Sequence, residues 1–294
     1  MQKMFIEVRA NEYVMRDVNK HVPWTADELA DDAARCRDAG ATIYHYHARL
    51  ADGGPDNSLE ANQEIIRKIR AKTDILVHPT LGFISNDRDP KDRIGRAIRL
   101  CEDPSTRPDI LPIDMGSFNY ELYDAETKTL SFPERVYQNT TETILYAAEQ
   151  FTAQNVAVQI VCWDLGFARR AAAVLEMGIL KEPAFFMICL MGGNLITGPQ
   201  VTPLAMDAML EALPLNKRGV FCVLMAGTSM MSMVPYIAKS GGHLSVGLGD
   251  HGYPEFGCPD NAGIVMKAAE MARQCGRELA NIEETRAMIG GRQI

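Results

Sequence analysis

Two histidines one residue apart, His45 and His47, close the apolar run Ala41-Thr42-Ile43-Tyr44. In a strand, residues i and i+2 point to the same face, so both imidazoles converge at the strand's end. Converging neutral imidazoles begin a site for zinc or a similar transition metal, which takes nitrogen donors at about 2.0–2.1 Å. The competing reading is a pair of packed, hydrogen-bonded histidines. A metal site needs a third donor and a scaffold that brings it to the same point.

The hydrophobic pattern supplies the scaffold. Short apolar segments predict strands at 4–8, 41–47, 74–78, 110–113, 157–161, 184–190, 220–224 and 243–246. They lack polar alternation, as strands covered on both faces do. Amphipathic segments predict helices at 25–38, 58–72, 92–101, 133–153, 166–177, 202–212, 229–240 and 261–275, with a last one at 282–289. Thr25-Ala26-Asp27-Glu28 is a capping box, and Ala39-Gly40 ends the helix it opens. Eight strands, each followed by a helix, predict an α/β fold of the (β/α)8 TIM barrel type. A doubly wound sheet would carry a glycine-rich phosphate turn after its first strand, and Arg9-Ala10-Asn11-Glu12 is not one. With no repeat, linker or low-complexity stretch, residues 1–294 read as a single barrel domain with a C-terminal helical extension.

Composition narrows the class. The net charge of −8 and the lack of a Lys/Arg cluster argue against a nucleic-acid partner. The seven cysteines are scattered without a C-x-x-C pair, which predicts reduced thiols in a cytoplasmic protein. No stretch approaches the apolar length of a membrane span, and residues 1–7 hold no apolar leader, so no membrane association is expected.

In a barrel, active sites sit at the C-terminal strand ends. Those ends and the loops beyond them carry Glu12, His45, His47, Arg49, His78, Thr80, Asp114, Ser117, Asn119, Gln159, Asp164, Gly193, Asp250 and His251. Several have plainer readings. Asp114 reads first as a cap on the following turn. Gly192-Gly193 is either a tight turn or a backbone approach to an acyl or phosphate group. His78 precedes Pro79 and fits a satisfied core histidine. Gly247-Leu248-Gly249-Asp250-His251-Gly252 is too glycine-rich for a helix and too long for a tight hairpin, which favours a functional loop.

Across nearly its whole length the chain resembles the β-keto acid cleavage enzymes, typified by 3-keto-5-aminohexanoate cleavage enzyme. The resemblance is carried by Tyr44-His45-Tyr46-His47-Ala48-Arg49 with Asp52-Gly53, by Met115-Gly116-Ser117-Phe118-Asn119, by Gly241-Gly242-His243 running into Val246-Gly247-Leu248, and by Asp260-Asn261-Ala262-Gly263-Ile264-Val265. It implies a (β/α)8 barrel with a divalent metal, most often Zn2+. It also implies condensation of a small-molecule β-keto acid with acetyl-CoA, giving acetoacetate and a new CoA thioester. His45 and His47 then match the histidine ligands, Asp250 the catalytic acid, and Ser117 a hydroxyl near the substrate. Glu12 matches a first-loop carboxylate with a catalytic role. Arg49, Thr80, Asn119 and Gly193 fall among the substrate-binding positions. A homo-oligomer is implied too, weakly seconded by the methionines at 225, 230, 231 and 233.

The chain departs from the family pattern at the eighth strand. Where the family carries Glu-Asp-Asn, with the Glu as third metal ligand, this chain has Gly249-Asp250-His251, and the usual Arg four residues earlier is Ser245. His251 shares strand parity with Gly249, so it is the expected replacement ligand, giving a three-histidine site. Two other functions compete. A metal-dependent hydrolase of the amidohydrolase type would need histidines on strands 5 and 6, which have none. A non-catalytic small-molecule binder would keep the metal and lose turnover.

Overall fold

The computed structural model describes residues 2–82, 90–215 and 219–291. In chain order its elements are β1 (Ile6–Arg9), α1 (Ala26–Ala39), β2 (Ile43–Tyr46), α2 (Leu59–Lys72), β3 (Leu76–Pro79), α3 (Pro90–Glu102) and β4 (Ile110–Asp114). Four short strands follow: β5 (Phe118–Asn119), β6 (Leu122–Asp124), β7 (Thr129–Ser131) and β8 (Val136–Tyr137). Then come α4 (Thr141–Gln154), β9 (Ala157–Cys162), α5 (Leu165–Glu176), β10 (Ala184–Met191), α6 (Pro203–Ala212), β11 (Gly219–Ala226), α7 (Val234–Lys239), β12 (His243–Val246), α8 (Asn261–Gln274) and α9 (Ile282–Met288).

Eight parallel strands form one sheet in the order β3-β2-β1-β12-β11-β10-β9-β4. Its two edges meet, because the Asp109 amide donates to the Val77 carbonyl at 3.0 Å and the Val77 amide to Asp109 Oδ2 at 2.9 Å. The sheet is thereby a nearly closed (β/α)8 barrel. Every residue of β10, AFFMICLM, is buried, which is why these strands read as continuous apolar runs. At α1 the predicted capping box is present, and Gly40 takes φ +112° at the C-cap, where a side chain is disfavoured.

Two expectations are corrected here. The helix expected from residue 133 begins at Thr141, because Val136 and Tyr137 pair antiparallel with Phe118 and Asn119 and Thr140 is the true N-cap. The predicted loop at 114–132 is therefore built from two small hairpins at the barrel mouth. The methionines at 225, 230, 231 and 233 are all core residues, so they offer no association surface. All seven cysteines are free thiols, and no helix among the described residues is long and apolar enough to cross a membrane.

Candidate active site

The first strand–helix loop is fastened to the end of β2. Arg9 and His45 are register partners, and the Ala10 amide donates to the His45 carbonyl at 3.0 Å. Asn11 grips His47 from both sides: its Nδ2 donates to the His47 carbonyl at 2.9 Å and its Oδ1 accepts from the His47 amide at 2.8 Å. Arg49 donates to the carbonyls of Asn11, Glu12 and Gly53, the last two at 2.9 Å. So fixed, the loop turns the Glu12 carboxylate inward, fully buried, with Oε1 3.4 Å from His45 Nε2. One ligand atom from each of Glu12, His45 and His47 lies within 4.8 Å of the others, the spacing of a metal-binding group.

Gly249 makes room for this carboxylate. A Cβ there would lie 1.4 Å from Glu12 Oε2 and 2.6 Å from the Glu12 amide nitrogen. The Gly249 amide donates to the Arg9 carbonyl and its own carbonyl accepts from Tyr13, both at 2.8 Å, so the backbone is tightly held.

Charge around the group is dense. Arg9 Nε lies 2.7 Å from Glu12 Oε1 and 3.5 Å from Asp250 Oδ2. Burial pushes the pKa of both carboxyls up, and the Arg9 guanidinium opposes that shift. Burial, seconded by Arg9, pushes both His45 and His47 well below the ordinary imidazole range, which leaves them neutral donors. Two carboxylates against one guanidinium leave a buried excess of negative charge when both acids are ionised. A divalent cation among Glu12, His45 and His47 would offset it.

Beneath lies a second polar layer centred on the fully buried Glu7. His78 Nδ1 lies 2.7 Å from Glu7 Oε1, Gln159 Nε2 donates to both oxygens at 3.0 Å, and Ser245 Oγ donates to Oε2 at 2.7 Å. Burial raises the Glu7 pKa, but His78, Arg9 and Ser245 outweigh it, and the net shift is downward. His78, held through Nδ1 by Glu7, meets the His45 ring edge-on, with centroids 4.4 Å apart and planes at 61°. Above this floor opens a narrow pocket, lined by Arg9, His45 and His47 from β1 and β2, and by Asp114, Tyr137 and Trp163 from the β4 side.

A family model for beta-keto acid cleavage enzymes matches residues 3–290. The chain belongs to that family. A 3-keto-5-aminohexanoate cleavage enzyme of Fusobacterium nucleatum is 24% identical over 293 residues, covering 98% of each chain. A 3-dehydrocarnitine:acetyl-CoA trimethylamine transferase of Rhizobium meliloti is 26% identical over 286 residues, covering 92% of this chain and 90% of that one. The solved apo structure of ObcA superposes with a TM-score of 0.72 at 14% identity, over 92% of this chain and 66% of that one, which supports the fold.

Within this family member, the structure gathers Glu12, His45, His47 and Asp250 around Arg9, and Thr80 lines the same cavity. It does not bring the other expected residues there. His251 is half-buried and turned toward Glu255, with Nε2 3.2 Å from Oε2, so the space expected for its imidazole belongs to Glu12. Ser117 is exposed, and its Oγ donates to the Asn139 carbonyl at 3.0 Å while accepting from the Asn139 amide at 2.8 Å. That clasp joins the post-β4 loop to the start of α4. Asn119 is exposed on β5. Arg49 is committed to backbone carbonyls. Gly193 is exposed at φ +61°, where a Cβ would lie 2.8 Å from the Gly227 carbonyl oxygen, so this glycine serves loop-to-loop packing. Asp114 caps no turn: its oxygens accept from Tyr137 and Trp163.

Sequence reasoning missed Glu7 and Arg9. Their signal was the same as that of the histidines: two ionisable side chains at period two in an otherwise apolar strand.

Proposed function

We propose that this enzyme cleaves a β-keto acid with acetyl-CoA as co-substrate, releasing acetoacetate and a new CoA thioester, at a divalent metal site formed by Glu12, His45 and His47. One observation carries the reading. In a member of this family, the two histidines of the motif and one buried carboxylate present ligand atoms within 4.8 Å of one another at the C-terminal end of the barrel. Two nitrogens and one oxygen suit zinc, and three protein ligands leave a position open for substrate.

Bound there, the ion supplies Lewis-acid polarisation of a keto oxygen. The remaining work falls to this chain's side chains. Asp250 is the proton acceptor: its oxygens are buried without a hydrogen-bond partner among the described residues, and its nearest cation is Arg9. Arg9 holds Glu12 and Asp250 apart in charge and together in space, and supplies from β1 the guanidinium that Ser245 lacks on β12. Its place in the cavity lining also suits it to the substrate carboxylate. Glu7 orients His78, and through it the ring of His45. Thr80 adds a hydroxyl to the cavity wall. A homo-oligomer is proposed on the family resemblance alone, and a monomeric mass in solution scattering at micromolar concentration would refute it.

The test is metal analysis of the purified protein together with a CoA-thioester assay over a panel of β-keto acids. About one metal per chain and acetyl-CoA-dependent acetoacetate release are expected. A metal content unchanged in the His45→Ala, His47→Ala double variant would sink the site, and no turnover of any β-keto acid would sink the reaction.

A further inference from the structure

At the end of the barrel opposite the mouth lies a cavity of about 530 Å³, a volume in the range that holds small ligands. It opens between the start of β4 and the start of β9, beside the ends of α2 and α3, and Arg286 of α9 completes its wall. Three guanidiniums line it, from Arg70, Arg107 and Arg286, against the carboxylates of Asp109 and Glu102, so the wall carries one excess positive charge. Asp109 engages two of the three: Arg70 Nη2 lies 3.0 Å from its Oδ2 and Arg286 Nη1 3.0 Å from its Oδ1. Its Oδ2 also accepts from the Val77 amide, so both oxygens are committed to the closing seam of the barrel. Arg107 stands outside that group. Its Nη1 donates to the Gln154 carbonyl at 2.7 Å, at the end of α4, and no carboxylate oxygen among the described residues lies within 4 Å of its guanidinium. Its Nε and Nη2 bond to nothing among the described residues, and together they form the fork that grips two oxygens of a carboxylate or phosphate. Glu102 is exposed at the rim and makes no ion pair. The rest of the wall is largely apolar, with Pro108 and Val156 buried, and with the Cys101 thiol pushed up to about 11 by burial and therefore neutral at pH 7. A guanidinium facing such walls is less well hydrated than one on an open surface, and an oxyanion with an apolar body would satisfy both features.

We propose that this cavity binds a small organic oxyanion, a carboxylate or phosphate monoester on a compact apolar body, with its oxygens on Arg107 and its body against Pro108 and Val156. The site is separate from the metal centre and does not depend on the reaction proposed above. The test is calorimetry on the purified full-length chain with benzoate, phenyl phosphate, neutral benzamide and inorganic phosphate. Benzoate or phenyl phosphate is expected to bind about tenfold more tightly than benzamide, and the tighter of the two names the headgroup. Phenyl phosphate should also exceed inorganic phosphate by about tenfold, through burial of its ring. Arg107→Gln should weaken the tighter anion by about tenfold, with thermal unfolding as the control for an intact fold. Glu102→Gln, at the exposed rim, should tighten it by about threefold, because an opposing charge is removed. Benzamide binding as tightly as both organic anions, inorganic phosphate binding as tightly as phenyl phosphate, or full affinity in Arg107→Gln overturns the proposal. If Arg107→Gln does not fold, Glu102→Gln decides alone: tighter binding upholds the site, and unchanged or weaker binding overturns it.

Discussion

Replacing Gly249 by alanine adds a single methyl group where Glu12 already lies. The new Cβ would sit 1.4 Å from Oε2, 2.5 Å from Cδ and 2.6 Å from the backbone nitrogen of Glu12. The carboxylate can swing away, but the nitrogen belongs to a loop fastened by Asn11 and Arg49, so the backbone must shift as well. Overpacking of this kind costs about 3 kcal/mol. Displacing Glu12 also removes one of the three proposed ligands, and metal affinity should fall by more than about 100-fold, the upper range seen for disturbing even the partners behind a ligand. Gly249→Glu carries the same backbone clash and should lose similar stability. It brings a carboxylate of its own, however, and should hold zinc within about tenfold of the wild type. The assay is competition against a chromophoric chelator, with thermal unfolding of the metal-free proteins as the control for stability. Equal zinc affinity in the two variants, or an unchanged affinity in Gly249→Ala, would refute the assignment of Glu12 as a ligand.

Glu12→Gln should keep the loop in place yet lower zinc occupancy after dialysis, and full occupancy would return the third ligand to another residue. Asp32 lies buried in α1, where burial raises its pKa to about 6 against the bonds from Tyr44 and Asn261. Its folded pKa exceeds its unfolded value near 3.8, so its contribution is fully present below pH 4 and is lost as pH rises through about 6. Asp32→Asn should therefore gain about 3 kcal/mol relative to wild type between pH 4 and 6, at 1.36 kcal/mol per unit, and a pH-independent difference in urea unfolding would contradict this. Arg49→Ala should destabilise the protein by about 2 kcal/mol, since charged hydrogen bonds to buried carbonyls are lost. It should leave KM for the β-keto acid close to that of the wild type, and a KM raised about tenfold would put Arg49 in contact with substrate after all.

The barrel was legible because its strands are apolar on both faces and its helices announce their ends, as Thr25 and Gly40 do at α1. The stretch at 114–140 was not, since strands of two or three residues leave no periodicity to read. His45 and His47 could be paired from spacing within one strand. The third donor could not, because Glu12 reaches the histidines through a loop whose path is set by Asn11 and Arg49. Strand parity offered His251 instead, but parity describes regular β-structure, and β12 ends at Val246, before the loop begins. Ser117 and Asn119 sit in a motif of the right type, yet their bonds serve the fold of the mouth. Asp114 was read first as a turn cap because its actual partners, Tyr137 and Trp163, come from distant positions in the chain.

The space above Gly249 also bears on how this chain is to be compared with its relatives. Residue 12 is a glutamate here, and the family resemblance places a carboxylate at that point too, so an alignment column would record nothing new. What differs is the absent side chain across the gap. On the proposed metal site, the carboxylate at position 12 occupies the space that a side chain at position 249 would fill. If Glu12 is the ligand, the presence or absence of a side chain at position 249 becomes a one-letter marker for which loop supplies the carboxylate.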